Sequence, residues 1–176
     1  VVDAVNASGS EIVPKLLRKL GCSVIPLYCD GSGIFPHMPE PLPNNLKALC
    51  KAVKSNKADL GISVDPDADR LVLITDKGKP YGEENTIATV VNYVLKNSPK
   101  SKQSVTVNLS TTRAVEDVAM RYGAKVYRSP VGEINVVKKM QSNGSVAGGE
   151  GSGGVILPAL HYGRDAMVGI ALVLSE

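Results

Sequence analysis

Apolar residues at Ile12, Val13, Leu16, Leu17 and Leu20 recur three and four positions apart. They predict a helix over 10–20 with one inward face, closed by Gly21. Leu46, Leu49 and Val53 repeat the pattern and predict a helix over 45–55 with those three residues inward. Further helices are expected over 83–97, 112–122, 134–142 and from Arg164 onward. Between them lie short apolar runs rich in β-branched residues, which predict strands over 1–5, 22–27, 60–64, 71–75, 105–108, 125–128 and 145–148. Residues 30–44 are rich in Pro and Gly and read as a loop, and Asp76-Lys77-Gly78 as a turn. Strands alternating with helices at this spacing belong to a layered α/β fold.

The pattern occurs twice. Asn6, Ser8, Ser10, Val13, Gly21 and Val24 align without a gap to Asn108, Ser110, Thr112, Val115, Gly123 and Val126. Tyr81-Gly82 and Glu84 likewise match Tyr162-Gly163 and Asp165. Any two strand–helix–strand units look alike in outline, but ungapped identities at turn positions favour duplication. Two tandem, similar domains are therefore expected, over 1–80 and 81–176. In the first copy the strand over 60–64 runs into an acidic loop, and in the second the strand over 145–148 runs into Gly149-Glu150. Ligands of α/β sheets bind where strands open into loops, so the two loops are expected to face one cleft. The chain opens directly on a strand and closes inside a helical pattern, which reads as a piece of a longer protein.

Bulk properties narrow the function classes. The 176 residues are 43% hydrophobic and 21% charged, ordinary for a soluble domain. A net charge of +3, spread evenly, does not argue for nucleic acid, and with no Trp and one Phe there is no base-stacking platform. No apolar run is long enough to span a bilayer, and no signal-peptide pattern opens the chain. Cys22, Cys29 and Cys50 have no metal or redox spacing. They read as reduced, mostly buried cysteines of a cytoplasmic protein.

Asp65-Pro66-Asp67-Ala68-Asp69-Arg70 is the sharpest motif. In a loop, alternation can turn three carboxylates toward one point, an arrangement that costs energy unless a cation neutralises it. Hard oxygen ligands favour Mg²⁺, Mn²⁺ or Ca²⁺ over Zn²⁺, and an adjacent guanidinium suits a phosphate. A solvated acidic turn is the plain alternative, but a surface turn between two apolar strands seldom needs three Asp residues. An EF-hand would need Gly and Glu where Arg70 and Asp76 stand, and helices rather than strands on either side.

The loop resembles the metal-binding loop of the α-D-phosphohexomutase superfamily, which comprises phosphoglucomutase, phosphomannomutase and phosphoglucosamine mutase. Pro66 replaces the usual Gly there, a variant also found in the family. Asp59 to Val64, Leu71 to Gly78 and the Phe35-Pro36-His37-Met38-Pro39-Glu40-Pro41 loop extend the likeness, which covers essentially the whole chain. It implies two three-layer α/β/α domains with mixed sheets, the second and third of a phosphoglucomutase-like protein. It also implies that Asp65, Asp67 and Asp69 are Mg²⁺ ligands and that Arg70 is catalytic, touching the phosphoserine or the substrate phosphate.

Gly148-Gly149-Glu150-Gly151-Ser152-Gly153-Gly154 formally contains a dinucleotide fingerprint. That site needs a helix opening at the loop, whereas Val155-Ile156-Leu157-Pro158 continues extended, and Glu150 would repel a pyrophosphate. Ser152 has no evident His partner for nucleophilic work, and His37 and His161 read as structural. The segment is similar to the sugar-binding loop of the same superfamily, which implies that Glu150 and Ser152 bind sugar hydroxyls. Ser129-Pro130-Val131-Gly132-Glu133 resembles the turn that helps close that site, making Gly132 and Glu133 substrate-binding candidates. Many members have His at Gly154, and some a Lys at Asn108, so the preferred sugar stays open. Arg164 and Asp165 read equally as ligands or as a capped helix start.

The family's phosphorylated serine belongs to a first domain and its phosphate-clamping loop to a fourth; neither motif occurs here. The resemblance thus implies the middle of a phosphohexomutase whose hexose phosphate substrate needs both missing domains. The alternatives are a non-catalytic sugar-phosphate-binding or regulatory module and a calcium-binding structural domain.

Overall fold

A computed structural model describes residues 1–99 and 103–176, with Glu83 described by its backbone alone. The chain forms two compact units, Val1–Gly82 and Glu83–Glu176. The first contains β1 (Val2–Asp3), α1 (Gly9–Lys19), β2 (Pro26–Leu27), α2 (Lys47–Ser55), β3 (Leu60–Val64) and β4 (Leu71–Thr75). The second contains α3 (Glu83–Asn97), β5 (Ser104–Asn108), α4 (Ala114–Arg121), β6 (Lys125–Ser129), α5 (Glu133–Asn143), β7 (Ala147–Gly149), β8 (Val155–Ile156) and α6 (Ala166–Ser175).

The sheets run β2-β1-β3-β4 and β6-β5-β7-β8. In each, the first three strands are parallel and the fourth returns antiparallel. Both units are thus mixed-sheet α/β/α layers with one topology, as a duplication requires. The β3–β4 hairpin pairs Val64 with Leu71, and the β7–β8 hairpin pairs Gly149 with Val155. The acidic loop and the glycine-rich loop therefore occupy equivalent hairpins, one in each sheet. No helix opens at the glycine-rich loop, which removes the dinucleotide reading.

The core follows the periodicity. Leu46, Leu49 and Val53 are fully buried and pack with Val1, Val72 and Ile74. In the second unit Val105 and Val107 face Ile87, Val91 and Leu95 of α3, while Val136 and Met140 of α5 cluster with Ile156. Between β5 and the end of α5, the Ser145 hydroxyl lies 2.7 Å from Thr106 Oγ1 and 3.3 Å from Ser104 Oγ. These buried hydroxyls satisfy one another.

Three expectations need correction. Of the five apolar residues expected on the inward face, only Val13 and Leu17 are buried, whereas Ile12 and Leu20 are 47% and 46% exposed; Gly9, Ser10 and Pro14 complete the buried side of α1. The strand over 1–5 shrinks to Val2–Asp3 because Val5 and Asn6 turn to positive φ (45° and 57°). A β-branched residue is an outlier there, held by its amide donating to Asp3 Oδ1 at 3.0 Å. The strand over 22–27 shrinks to an edge pair that includes Pro26, which has no N–H to donate. The cysteines are free thiols, as expected, but all three are half-buried rather than buried. Burial raises the Cys29 and Cys50 thiols above the ordinary cysteine range. Among the described residues no helix is long and apolar enough to cross a membrane.

Candidate functional site

Asp65 follows the last residue of β3 and is fully buried. Its Oδ1 accepts the amides of Asp69 (3.1 Å) and Arg70 (3.0 Å), so the loop curls around its own first carboxylate. The curl requires Ala68 at φ 56°, and the Asp65 carbonyl accepts the Ala68 amide at 3.0 Å. Ser8, in the turn between β1 and α1, donates its amide and hydroxyl to the Pro66 carbonyl at 3.2 and 2.6 Å. The loop is thereby anchored from the neighbouring strand.

This folding places one carboxylate oxygen from each of Asp65, Asp67 and Asp69 within 4.8 Å of the others. At that separation, repulsion between Asp65 and Asp69 is about 3 kcal/mol for an effective dielectric near 20, before any cation is counted. Arg70 offsets part of it: Nε donates to Asp65 Oδ2 at 2.5 Å and lies 3.7 Å from Asp69 Oδ1. Its Nη1 and Nη2 both engage Glu40. Burial works against the Arg70 charge, but the Asp65 and Glu40 carboxylates hold it firmly protonated. Opposite ligands stand about 4.2 Å apart around Mg²⁺ and about 4.8 Å around Ca²⁺, so the cluster is within reach of a divalent metal.

Glu40 sits on the Pro-rich loop, which is tied back by His37. The His37 Nε2 lies 2.9 Å from Oδ2 of the fully buried Asp3, and its ring packs edge-on to Tyr28. Burial pushes the Asp3 carboxyl above the usual carboxylate range, against the pull of the Val5 amide and His37.

The glycine-rich loop closes differently. Glu150 donates its amide to the Gly154 carbonyl at 2.9 Å and accepts the Gly153 amide at 3.2 Å. A Cβ at Gly149 would lie 2.2 Å from the Gly154 carbonyl oxygen, so only glycine lets the two strands of this hairpin approach. Gly151 donates to Thr111 Oγ1 at 3.0 Å, again from the turn after the first strand of the sheet. The Glu150 side chain is 6% exposed. Its Oε1 accepts Asn108 Nδ2 at 2.8 Å and the Gly132 amide at 3.2 Å, and its Oε2 accepts Arg164 Nη1 at 2.8 Å. Glu133 Oε1 accepts the Arg164 amide at 2.8 Å. Gly132 and Glu133 are thus brought to Glu150 directly and through Arg164. Ser152 is half-buried at the loop tip. Asp165 caps α6 through the Met167 and Val168 amides and lies 2.9 Å from His161 Nε2, so its role is the helix start.

Comparison with known proteins agrees. A model of phosphoglucomutase/phosphomannomutase α/β/α domain II matches residues 1–78, and one of domain III matches residues 83–176. The chain belongs to the phosphoglucomutase/phosphomannomutase family. A "Phosphoglucomutase/phosphomannomutase" of Thermococcus kodakarensis is 38% identical over 176 residues, and a "Probable phosphoglucosamine mutase" of Methanopyrus kandleri is 37% identical over the same length. Each alignment covers 99% of this chain and 38% of the relative. A crystal structure of a family protein from Burkholderia thailandensis superposes with a TM-score of 0.88 at 28% identity, covering 98% of this chain and 38% of that one. The chain therefore spans well under half the length of the family members it matches.

Within this family framework, four residues with a place in the two loops carried no role in the sequence reading: Ser8, Glu40, Asn108 and Thr111. Ser8 and Asn108 had a signal in the repeat. Glu40 and Thr111 had none beyond their neighbourhoods, because their partners lie 30 and 40 residues away.

Proposed function

We infer that the full-length protein is a Mg²⁺-dependent phosphohexomutase interconverting hexose 1-phosphate and hexose 6-phosphate. The observation that carries this is the convergence of Asp65, Asp67 and Asp69 beside the Arg70 guanidinium on one hairpin. The three carboxylates would hold the Mg²⁺, which when bound supplies positive charge for a transferring phosphoryl group. Arg70 presents a charged edge to the phosphate of the phosphoserine or of the substrate. Glu150 orients a sugar hydroxyl, with Ser152, Gly132 and Glu133 completing the contacts. The phosphoserine and the phosphate clamp lie on domains outside this chain. In the reaction, the serine O–P bond breaks as a sugar hydroxyl oxygen takes the phosphoryl group, and the proton that hydroxyl loses ends on the freed serine oxygen. The bisphosphorylated sugar then turns over and returns its other phosphate to serine. The three free cysteines accord with a reducing compartment, the cytoplasm.

Coupled assays of the full-length protein on glucose, mannose and glucosamine 1-phosphates test this reading. At least one substrate is expected to turn over with Mg²⁺ and to stop with EDTA, and the 176-residue chain alone is expected to be inactive. Turnover by the chain alone, or none by the full-length protein, would overturn it.

A further inference from the structure

The geometry points to Arg164 as the positioning residue of the sugar loop, with Gly154 a glycine in order to admit its side chain. This rests on the reading of Glu150 as a sugar contact.

The first observation is steric. Gly154 is buried and does not occupy the left-handed region, so its backbone would accept any residue. A Cβ built on it would stand 2.4 Å from Arg164 Cδ and 3.1 Å from Cγ. Those atoms are the middle of the Arg stem, not its mobile end, so relief would drag the guanidinium away. Glycine at 154 therefore answers to space rather than to φ. The side chain that would have grown from the loop is replaced by one reaching in from the segment before α6.

The second observation is electrostatic. Glu150 is a buried carboxylate, and Arg164 is the cation that meets it, with Nη1 2.8 Å from Oε2. Arg164 is itself fixed from behind by Glu133, through its backbone amide and through Nε 3.5 Å from Oε2. The order Glu133–Arg164–Glu150 sets the guanidinium before any substrate arrives. A carboxylate has about four lone-pair positions. Among the described residues Asn108, Gly132 and Arg164 take three, two on Oε1 and one on Oε2. One acceptor position remains, on Oε2, so Glu150 takes one sugar hydroxyl, not two. Arg164 decides its direction, because it occupies the other position on the same oxygen.

The test has a stability, a spectroscopic and a kinetic arm. In the 176-residue chain, Gly154→Ala should lower Tm by about 5 °C or more when Arg164 is present, and by about 2 °C or less in an Arg164→Ala background. Equal losses in both backgrounds would overturn the steric coupling. Arg164→Met keeps the stem and removes the charge. Followed by ¹³C NMR at neutral pH, the Glu150 carboxyl resonance should then move and broaden, because Oε2 loses the guanidinium that fixes it. Arg164→Lys should recover part of that change, and an unmoved resonance would overturn the positioning role. In the full-length enzyme, Arg164→Met should raise KM for the hexose 1-phosphate about tenfold with a smaller change in kcat, with partial rescue by Arg164→Lys. Unchanged kinetics beside a moved resonance would also overturn the role. A full-length wild type inactive on every hexose phosphate would sink the mutase reading instead, while the first two arms still decide the Arg164–Gly154 pairing.

Discussion

Individual residues at the two loops divide into those that gather charge and those that hold the gatherers still. Asp67 is the most exposed of the three loop carboxylates and is the cleanest probe of the proposed metal set. Asp67→Asn keeps its shape and removes one negative ligand. Mg²⁺ affinity measured by calorimetry should fall about tenfold or more, with the unfolding midpoint in the absence of metal unchanged or slightly higher. Asp3 is a different case, because its carboxyl is raised by burial. A group whose folded pKa lies above its unfolded value adds most to stability below the unfolded value and loses that contribution as pH rises through the folded one. Wild type should therefore lose stability relative to Asp3→Asn as pH climbs from about 4 toward neutrality, read from urea midpoints at each pH. A gap constant with pH would show that His37 compensates Asp3 in full.

At the level of elements, the helices were legible because their buried stripes carry a period that chance seldom produces. Leu46, Leu49 and Val53 show it well, and Leu49→Ala should cost about 2–5 kcal/mol in chemical denaturation. The repeat was legible because its identities fall at turn positions, and it placed the two loops after equivalent strands; the hairpins they close appear only in the fold. What the sequence concealed has a common cause. Val5 and Asn6 take positive φ because Asp3 and the Tyr28 carbonyl capture their amides, a tertiary constraint no propensity encodes. Ile12 is exposed because the buried side of α1 runs through Gly9, Ser10, Val13, Pro14 and Leu17 instead. Within the sites, Asp65, Asp67 and Asp69 are adjacent in sequence and were readable as a set. Glu40, which meets Arg70, and Asn108, which meets Glu150, come from 30 and 42 residues away and were not readable as partners.

For the whole molecule, each unit has its own core, so a ligand at one loop should be felt first within its own sheet. Hydrogen exchange on the intact chain tests this: saturating Mg²⁺ should slow exchange across 60–75 and leave 145–156 near its metal-free rate. Binding at one hundred times Kd adds about 2.7 kcal/mol to whichever unit binds. Equal protection of both stretches would place the metal elsewhere.

Ser8 and Thr111 perform one task in two places, each tying the third-strand hairpin to the turn after the first strand. Because this fastening grips backbone groups, the Pro66 carbonyl and the Gly151 amide, side chains such as Asp67 and Ser152 are left out of it. One hairpin can therefore carry three acids and the other a single oriented carboxylate on the same scaffold. The same separation lets exposed loop side chains change while the sheets and their fastenings stay as they are.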